Sequence, residues 1–376
     1  MSNDVPPAAA VTVGEVVDFL EKVAPLRLAA EWDNVGLLLG DRAAEIRRLM
    51  TCLTVTPDVV AEAIEAGAGL IVTHHPILFR PIQRVTASTP EGRMVLDLIR
   101  GRVAVYSAHT AFDNSQEGIN ETLARRLNLL EVVPMRRRSG PRECKVVVFV
   151  PEADLGAVMD AMFAAGAGNI GPYSQCSFRL DGTGTFFGSE TTHPAVGQKG
   201  RCEEVSEWRL EAICGEADVD GVIAAIRRFH SYEEPAYDVY PLRAKVSTTG
   251  EGRSGRLPRA TPLRALATMV KAVVNARLVQ IVGDPERNVE RAAIVCGAGG
   301  EFLADAVDAR SDVFLTGEMR FHDQLAARAR GMALLLPGHY ATERFGLEEL
   351  ASRLQNQWPG IEVWASRQEQ DPAIPI

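Results

Sequence analysis

Leu70-Ile71-Val72-Thr73-His74-His75-Pro76 decides the fold. An apolar run too short for a helix reads as a strand buried on both faces, the kind found in parallel sheets covered by helices. Pro76 marks a break, because the residue before a proline is steered away from helical backbone. Outward from this point strand and helix signals alternate. Thr12-Val13-Gly14-Glu15 has the form of a capping box, with Val16, Leu20 and Val23 following at helical spacing. Leu49 to Val55 reads as strand and Pro57 to Ala66 as helix. Arg93 to Arg100 reads as helix, Val103 to Tyr106 as strand and Ile119 to Leu127 as helix. The alternation predicts an α/β fold with a mixed or parallel sheet.

The texture then changes twice. Arg136-Arg137-Arg138-Ser139-Gly140-Pro141-Arg142 is charged and turn-rich, and is read as a solvated linker rather than a phosphate-binding patch. Ser247 to Pro262, rich in Gly, Ser, Thr and Arg, is read as a second linker. Between them, strands at Lys145 to Val150, Trp208 to Ile213 and Tyr237 to Leu242 alternate with helices at Asp154 to Ala165 and Val219 to Phe229. Two β-α halves predict a ferredoxin-like α+β insert, with Phe163, Phe178 and Met162 expected in its core. After the second break the first texture resumes. Strands are expected near residues 277–282, 292–295, 313–315, 333–336 and 361–364, among helices near 263–274, from 301, 321–329 and 340–354. The expected division is an α/β domain made of 1–140 and 246–376, interrupted by an inserted domain at 141–245.

Composition narrows the function classes. Of 376 residues, 46% are apolar, enough for a sizeable core. Forty basic against 49 acidic side chains give a net charge of −9, which argues against general nucleic-acid or membrane-surface binding. No apolar run approaches the roughly 18 residues that a membrane span needs. Met-Ser-Asn-Asp-Val-Pro-Pro lacks the features of a secretory signal. The six cysteines are scattered without a CxxC pair, as expected of reduced, mostly buried thiols. A cytoplasmic location is expected.

Seven histidines are few, and their placement is informative. His74-His75 follows one strand, His109 and Asp113 follow another, and His339 and Glu343 follow a third after Pro337-Gly338. The spacing of four puts His339 and Glu343 on one helix face. Ligands of open parallel sheets collect beyond the carboxyl ends of the strands, and all three clusters fall there. Taken singly, each has a plain structural reading: a turn with one buried imidazole, or a surface helix pair. Taken together, imidazole with carboxylate suits zinc, manganese, iron or nickel better than calcium or magnesium. Three His and two carboxylates exceed what one catalytic ion needs, and Asp113 or Glu343 could bridge two ions roughly 3.5–4 Å apart. Further candidates lie nearby. His109 is read as a proton carrier or an orienting group, and Glu318 with His322 as site-lining residues. Asp33 and Asn34 are read as caps or site residues. Gly297-Ala298-Gly299-Gly300 joins a strand to a helix, where free N–H groups can cradle a phosphate, but a glycine-rich loop alone is a weak signal and a plain structural turn is the favoured reading. His193, in a Gly/Thr-rich loop, reads as a surface residue.

At this point the chain resembles the Nif-three-like proteins, the family of GTP cyclohydrolase 1 type 2 homologues. The likeness rests on Trp32-Asp33-Asn34-Val35-Gly36, Thr73-His74-His75-Pro76, Ser107-Ala108-His109-Thr110 with Asp113, Thr316-Gly317-Glu318, and Gly338-His339 with Glu343. It covers nearly the whole chain. Gly182-Thr183-Gly184-Thr185-Phe186 and Tyr232-Glu233-Glu234-Pro235-Ala236-Tyr237-Asp238 are similar to the longer bacterial members. The resemblance implies two metal ions held by His74, His75, Asp113, His339 and Glu343, a toroidal homohexamer, and a PII/CutA-like insert. Its activity label implies opening of the guanine imidazole ring of GTP. Ala111-Phe112 departs from the family pattern between His109 and Asp113, at positions that bear on pocket polarity and not on metal binding. Ser231 stands where a Pro is expected.

The leading expectation is a dinuclear metal-dependent hydrolase of a nucleotide-like small molecule, with His109, His322 and Glu318 as catalytic candidates. Three rivals stand beside it. They are a nucleotide phosphoesterase or pyrophosphatase, a metal storage or delivery protein without turnover, and a regulatory scaffold whose insert senses a ligand.

Overall fold

The computed structural model describes residues 10–138, 142–243 and 247–374. The opening heptapeptide and the expected boundaries at 140/141 and 245/246 lie outside the described residues. The chain divides into two compact units, residues 1–138 with 248–376, and residues 139–247.

The first unit is mixed α/β and holds two large sheets beside two two-stranded pairs, Val11–Thr12 with Glu45–Ile46 and Arg136–Arg137 with Gly250–Glu251. One large sheet has strand order Glu362–Ala365, Arg48–Cys52, Leu70–Thr73, Ala104–Ser107, Gly36–Leu39; the first four run parallel and the last is antiparallel. The other has order Gln280–Val282, Ala333–Leu336, Val313–Glu318, Asn288–Ala298, Arg253–Pro262, Leu130–Val133, and in it only the three neighbouring strands spanning 288–336 pair in parallel. Each half of the interrupted chain lends an edge strand to the other's sheet. Strand 362–365 closes the first sheet, and strand 130–133 closes the second. Leu70–Thr73 is buried along its whole length, as its unbroken apolar character requires. The first helix, Val13–Val23, starts on the capping box: Glu15 N–H donates to Thr12 Oγ1, and Thr12 N–H to Glu15 Oε2, an arrangement whose cap contributes about 1 kcal/mol.

The expected second linker is different in structure. Residues 253–262 form a strand inside the six-stranded sheet. Arg253 is fully buried, with its guanidinium on Glu121 Oε2 at 2.5 Å and on the carbonyls of Gly250, Gly252 and Ser115. A residue that looks solvated in the sequence is thus a buried tie between the two halves, because each of its three guanidinium nitrogens has an acceptor.

The second unit has the element order β-α-β-β-α-β. Its strands Glu143–Val150, Phe178–Phe187, Cys202–Gly215 and Tyr237–Pro241 form one antiparallel sheet in the order fourth, first, third, second. Met162 is in its core, Phe163 is half-buried, and Phe178 is exposed on the edge strand, contrary to the core expectation. That strand is open along most of its length, so neither composition nor alternation marks it. All six cysteines are free, and four are buried. No helix among the described residues is long and apolar enough to cross a membrane.

Candidate metal centre

Both sheets deliver side chains from the carboxyl ends of their parallel strands. Leu70–Thr73 ends on His74 and His75, and Ala104–Ser107 on the short helix His109–Asn114, which carries Asp113. From the second sheet, Val313–Glu318 ends on Glu318, and Ala333–Leu336 leads through Pro337-Gly338 into helix His339–Gln357, which carries Glu343. Gly338 has φ +105°, a backbone that only glycine adopts without strain, and this bend starts the helix at His339. His109 also has a positive φ, +24°. Its N–H bonds the carbonyl of His74 at 3.2 Å, and Asp33 holds its ring, so the surroundings over-determine an unfavourable backbone.

Glu343 is the centre of the cluster. Its Oε2 lies 3.0 Å from His339 Nε2 and 3.2 Å from His75 Nε2, and its Oε1 lies 3.9 Å from His74 Nε2. Asp113 Oδ1 is 3.7 Å from His74 Nε2. Two groups of ligand atoms, each within 4.8 Å of one another, share His75: His74 with His75 and His109, and His75 with His339 and Glu343. The structure therefore brings His74, His75, Asp113, His339 and Glu343 together, and adds His109 at the same place. Glu318 borders the cluster. His322 does not join either group; it is exposed at the start of helix Phe321–Ala329, beside Phe321.

The outer nitrogens of three imidazoles are already held. His339 Nδ1–H donates to Glu318 Oε1 at 3.0 Å, His109 Nδ1–H donates to Asp33 Oδ1 at 2.7 Å, and Thr54 Oγ1 lies 2.7 Å from His75 Nδ1. Such partners fix the ring and turn Nε2 inward, the arrangement that surrounds metal-ligating histidines. Asp33 also accepts from the N–H of Asn34 and from the N–H and hydroxyl of Thr110, so besides its own segment it caps a distant helix. Nothing in the local sequence announces this, since the partners lie 76 and 77 residues away.

The inner atoms fit a cation. Both ring nitrogens of His74, Asp113 Oδ1 and Glu343 Oε2 are buried without a hydrogen-bond partner, a costly state for polar atoms. With its Nδ1 proton on Glu318, a neutral His339 turns a lone pair toward a carboxylate oxygen, which only a proton or a metal ion reconciles. The titration behaviour agrees. The neighbouring Glu343 carboxylate lifts His339 to about 9 against its burial. Burial holds His74 well below the usual histidine range. Burial, then the Glu343 charge, raises Asp113 to about 8. Burial would also raise Glu343, yet His339 and His75 keep it well below the carboxylate range. Asp33, partly desolvated, is held at about 2 by His109 and Thr110.

The Gly297–Gly300 loop follows the favoured structural reading and not the phosphate cradle. Gly297 N–H donates to Thr342 Oγ1 and Gly299 N–H to Thr316 Oγ1, so neither is free for a phosphate. The glycine is needed for another reason: a Cβ on Gly297 would stand 2.1 Å from Glu343 Oε1. His193 is exposed in its loop, as expected, with its backbone N–H on Glu233.

The Duf34/NIF3 (NGG1p interacting factor 3) family model matches residues 11–372. A Halalkalibacterium halodurans protein named "GTP cyclohydrolase 1 type 2 homolog" is 37% identical over 360 residues, 95% of this chain and 97% of its own. A Bacillus cereus protein related to NIF3 has a crystal structure that superposes with TM-score 0.78 at 32% identity, covering 99% of this chain and 100% of that one. A Staphylococcus aureus structure superposes with TM-score 0.83 at 27% identity, covering 97% and 99%.

Proposed function

The chain belongs to the Duf34/NIF3 family, and from that premise we propose a dinuclear metal-dependent hydrolase that acts on a nucleotide-like small molecule. The observation that carries the reading is Glu343, a buried carboxylate reached by imidazoles from both sheets, with His75 common to two ligand groups. His74, His75, Asp113, His339 and Glu343 would hold two divalent ions of the zinc, manganese, iron or nickel class. When bound, such ions supply Lewis acidity and lower the pKa of water.

The chain's own residues do the rest. Glu318 and Thr54 keep the rings of His339 and His75 turned inward. The Asp33–His109 pair is suited to move a proton at His109 Nε2, because an anionic Asp33 fixes the tautomer and steadies the imidazolium. GTP is the first substrate to try, on the name that the relatives carry. A toroidal homohexamer and a separable PII/CutA-like insert near residues 141–245 belong to the same proposal; the β-α-β-β-α-β order of the second unit supports the latter.

Metal delivery without turnover is favoured by one observation. The side chains of His75 and His339 are 28% and 35% exposed, within reach of a chelating partner. Metal content and turnover measured on one preparation separate the two readings. His339→Ala is expected to lower metal content sharply. His109→Ala is expected to keep the metal and lower turnover by about 10²-fold or more, with His322→Ala measured beside it. Full metal content in His339→Ala defeats the ligand assignment, and metal loss in His109→Ala makes that residue a ligand or a support of the site.

A further inference from the structure

Trp32 and Phe79 stand 60% and 48% exposed at the edge of the histidine cluster. Their ring centroids are 5.7 Å apart, and they lie 6.0 Å and 6.2 Å from that of His109. His109 in turn packs 5.1 Å from His74 and 5.5 Å from His75. Rings of this size gain from burial, so folding alone gives no reason to leave two of them about half exposed side by side. Their positions are fixed. Asp33, next to Trp32, carries the bond to His109, and Asn34 Nδ2 donates to the carbonyl of Leu78, beside Phe79. Three successive residues therefore present a ring, orient an imidazole of the centre, and tie down the segment that bears the second ring.

The two rings are inclined at 45°. A third ring between them would need about 3.5 Å of clearance on each side, which this spacing does not leave. They form a wall with an open face, not a slot.

We propose that this wall is the ring-recognition subsite of the candidate metal centre, and that its ligand carries a planar fused heteroaromatic ring of the purine or pterin class. The proposal rests on the hydrolase reading above and names the substrate class for that site. Stacking on such a surface asks for a flat π-face and little else. Contact of both rings with His109 places the stacked ring beside the residue proposed to move the proton.

The test titrates metal-loaded wild type, Trp32→Ala, Trp32→Phe and Phe79→Ala with GTP and neopterin, and with ribose 5-phosphate as the ring-free control. Metal content and oligomer mass are read on the same preparations. Trp32→Ala is expected to weaken binding of the ring-bearing probe by about 5- to 150-fold. Phe79→Ala should weaken it less, Trp32→Phe should restore most of the affinity, and binding of the control should not change between variants. Which of GTP and neopterin binds identifies purine or pterin. The proposal is overturned by unchanged affinity in Trp32→Ala, by an equal loss for ribose 5-phosphate, or by a wild type that binds neither ring-bearing probe. It is also overturned by a change in oligomer mass, which would make the wall an interface between copies. A wild type that takes up no metal but binds the ring through Trp32 defeats the dinuclear reading and leaves the subsite standing.

Discussion

Gly297→Ala tests the centre without touching a ligand. The added Cβ would sit 2.1 Å from Glu343 Oε1, 3.1 Å from its Cδ and 3.3 Å from His339 Nε2. Ordinary contact begins at 3.4 Å, so the carboxylate oxygen must move by 3.4 − 2.1 = 1.3 Å. Ligand distances in a metal site tolerate only about 0.2 Å. Glu343 therefore cannot keep its place between His75 and His339. The substitution also puts a side chain at φ +68°, which costs roughly 1–2 kcal/mol of stability. Gly67→Ala isolates that second effect, since Gly67 has φ +66° and nothing within 4 Å of the added Cβ. Both variants should melt lower than wild type, Gly297→Ala by at least as much as Gly67→Ala because it adds the clash to the strain. Only Gly297→Ala should lose about one of the two metal equivalents expected per subunit, read by elemental analysis after reconstitution and dialysis. If Gly297→Ala retains the metal content of Gly67→Ala, Glu343 is not a ligand and the geometric reasoning fails.

The remaining predictions concern the support of the site and the division of the chain. Glu318→Ala frees His339 Nδ1 and should weaken metal affinity about 10- to 100-fold, measured by competition with a chromogenic chelator; unchanged affinity would leave Glu318 without an orienting role. Because Asp33 is held at about 2 in the fold and returns to about 3.9 when unfolded, it adds stability above pH 4 that is lost as the pH falls toward 2. Acid unfolding of Asp33→Asn should therefore be flatter across that window, and curves that differ only by a constant would show that Asp33 does not titrate as described. Replacing residues 141–245 with a short Gly/Ser linker should leave metal content intact, because the edge strands exchanged between the two halves remain. Expression only as unfolded chain would make the insert part of the main core.

How much of the fold is legible depends on whether the signal is local. Leu70–Thr73 and Ala333–Leu336 carry their own apolar pattern, and the structure places them where the pattern does. Residues 253–262 do not. The partner that lets Arg253 be buried is Glu121, 132 residues away, so the segment reads as solvated linker until the fold supplies the pair. Phe178–Phe187 fails differently: it pairs along one edge only and faces solvent over most of its length, leaving no burial pattern to read.

The site divides along the same line. A strand end is a local feature, and the rule that ligands collect there brings His74, His75, Asp113, His339 and Glu343 into view one strand at a time. What no single strand reveals is the set of contacts made between neighbouring strand ends of the same sheet. Asp33 on His109, Glu318 on His339 and Thr54 on His75 are long-range pairs, and they turn a collection of imidazoles into an oriented cluster. Gly297 shows the consequence. By composition its loop resembles a phosphate cradle, yet its N–H is spent on Thr342 and its missing side chain makes room for Glu343. The same glycine would suit either role; what decides between them is the helix that arrives from 45 residues further along the chain.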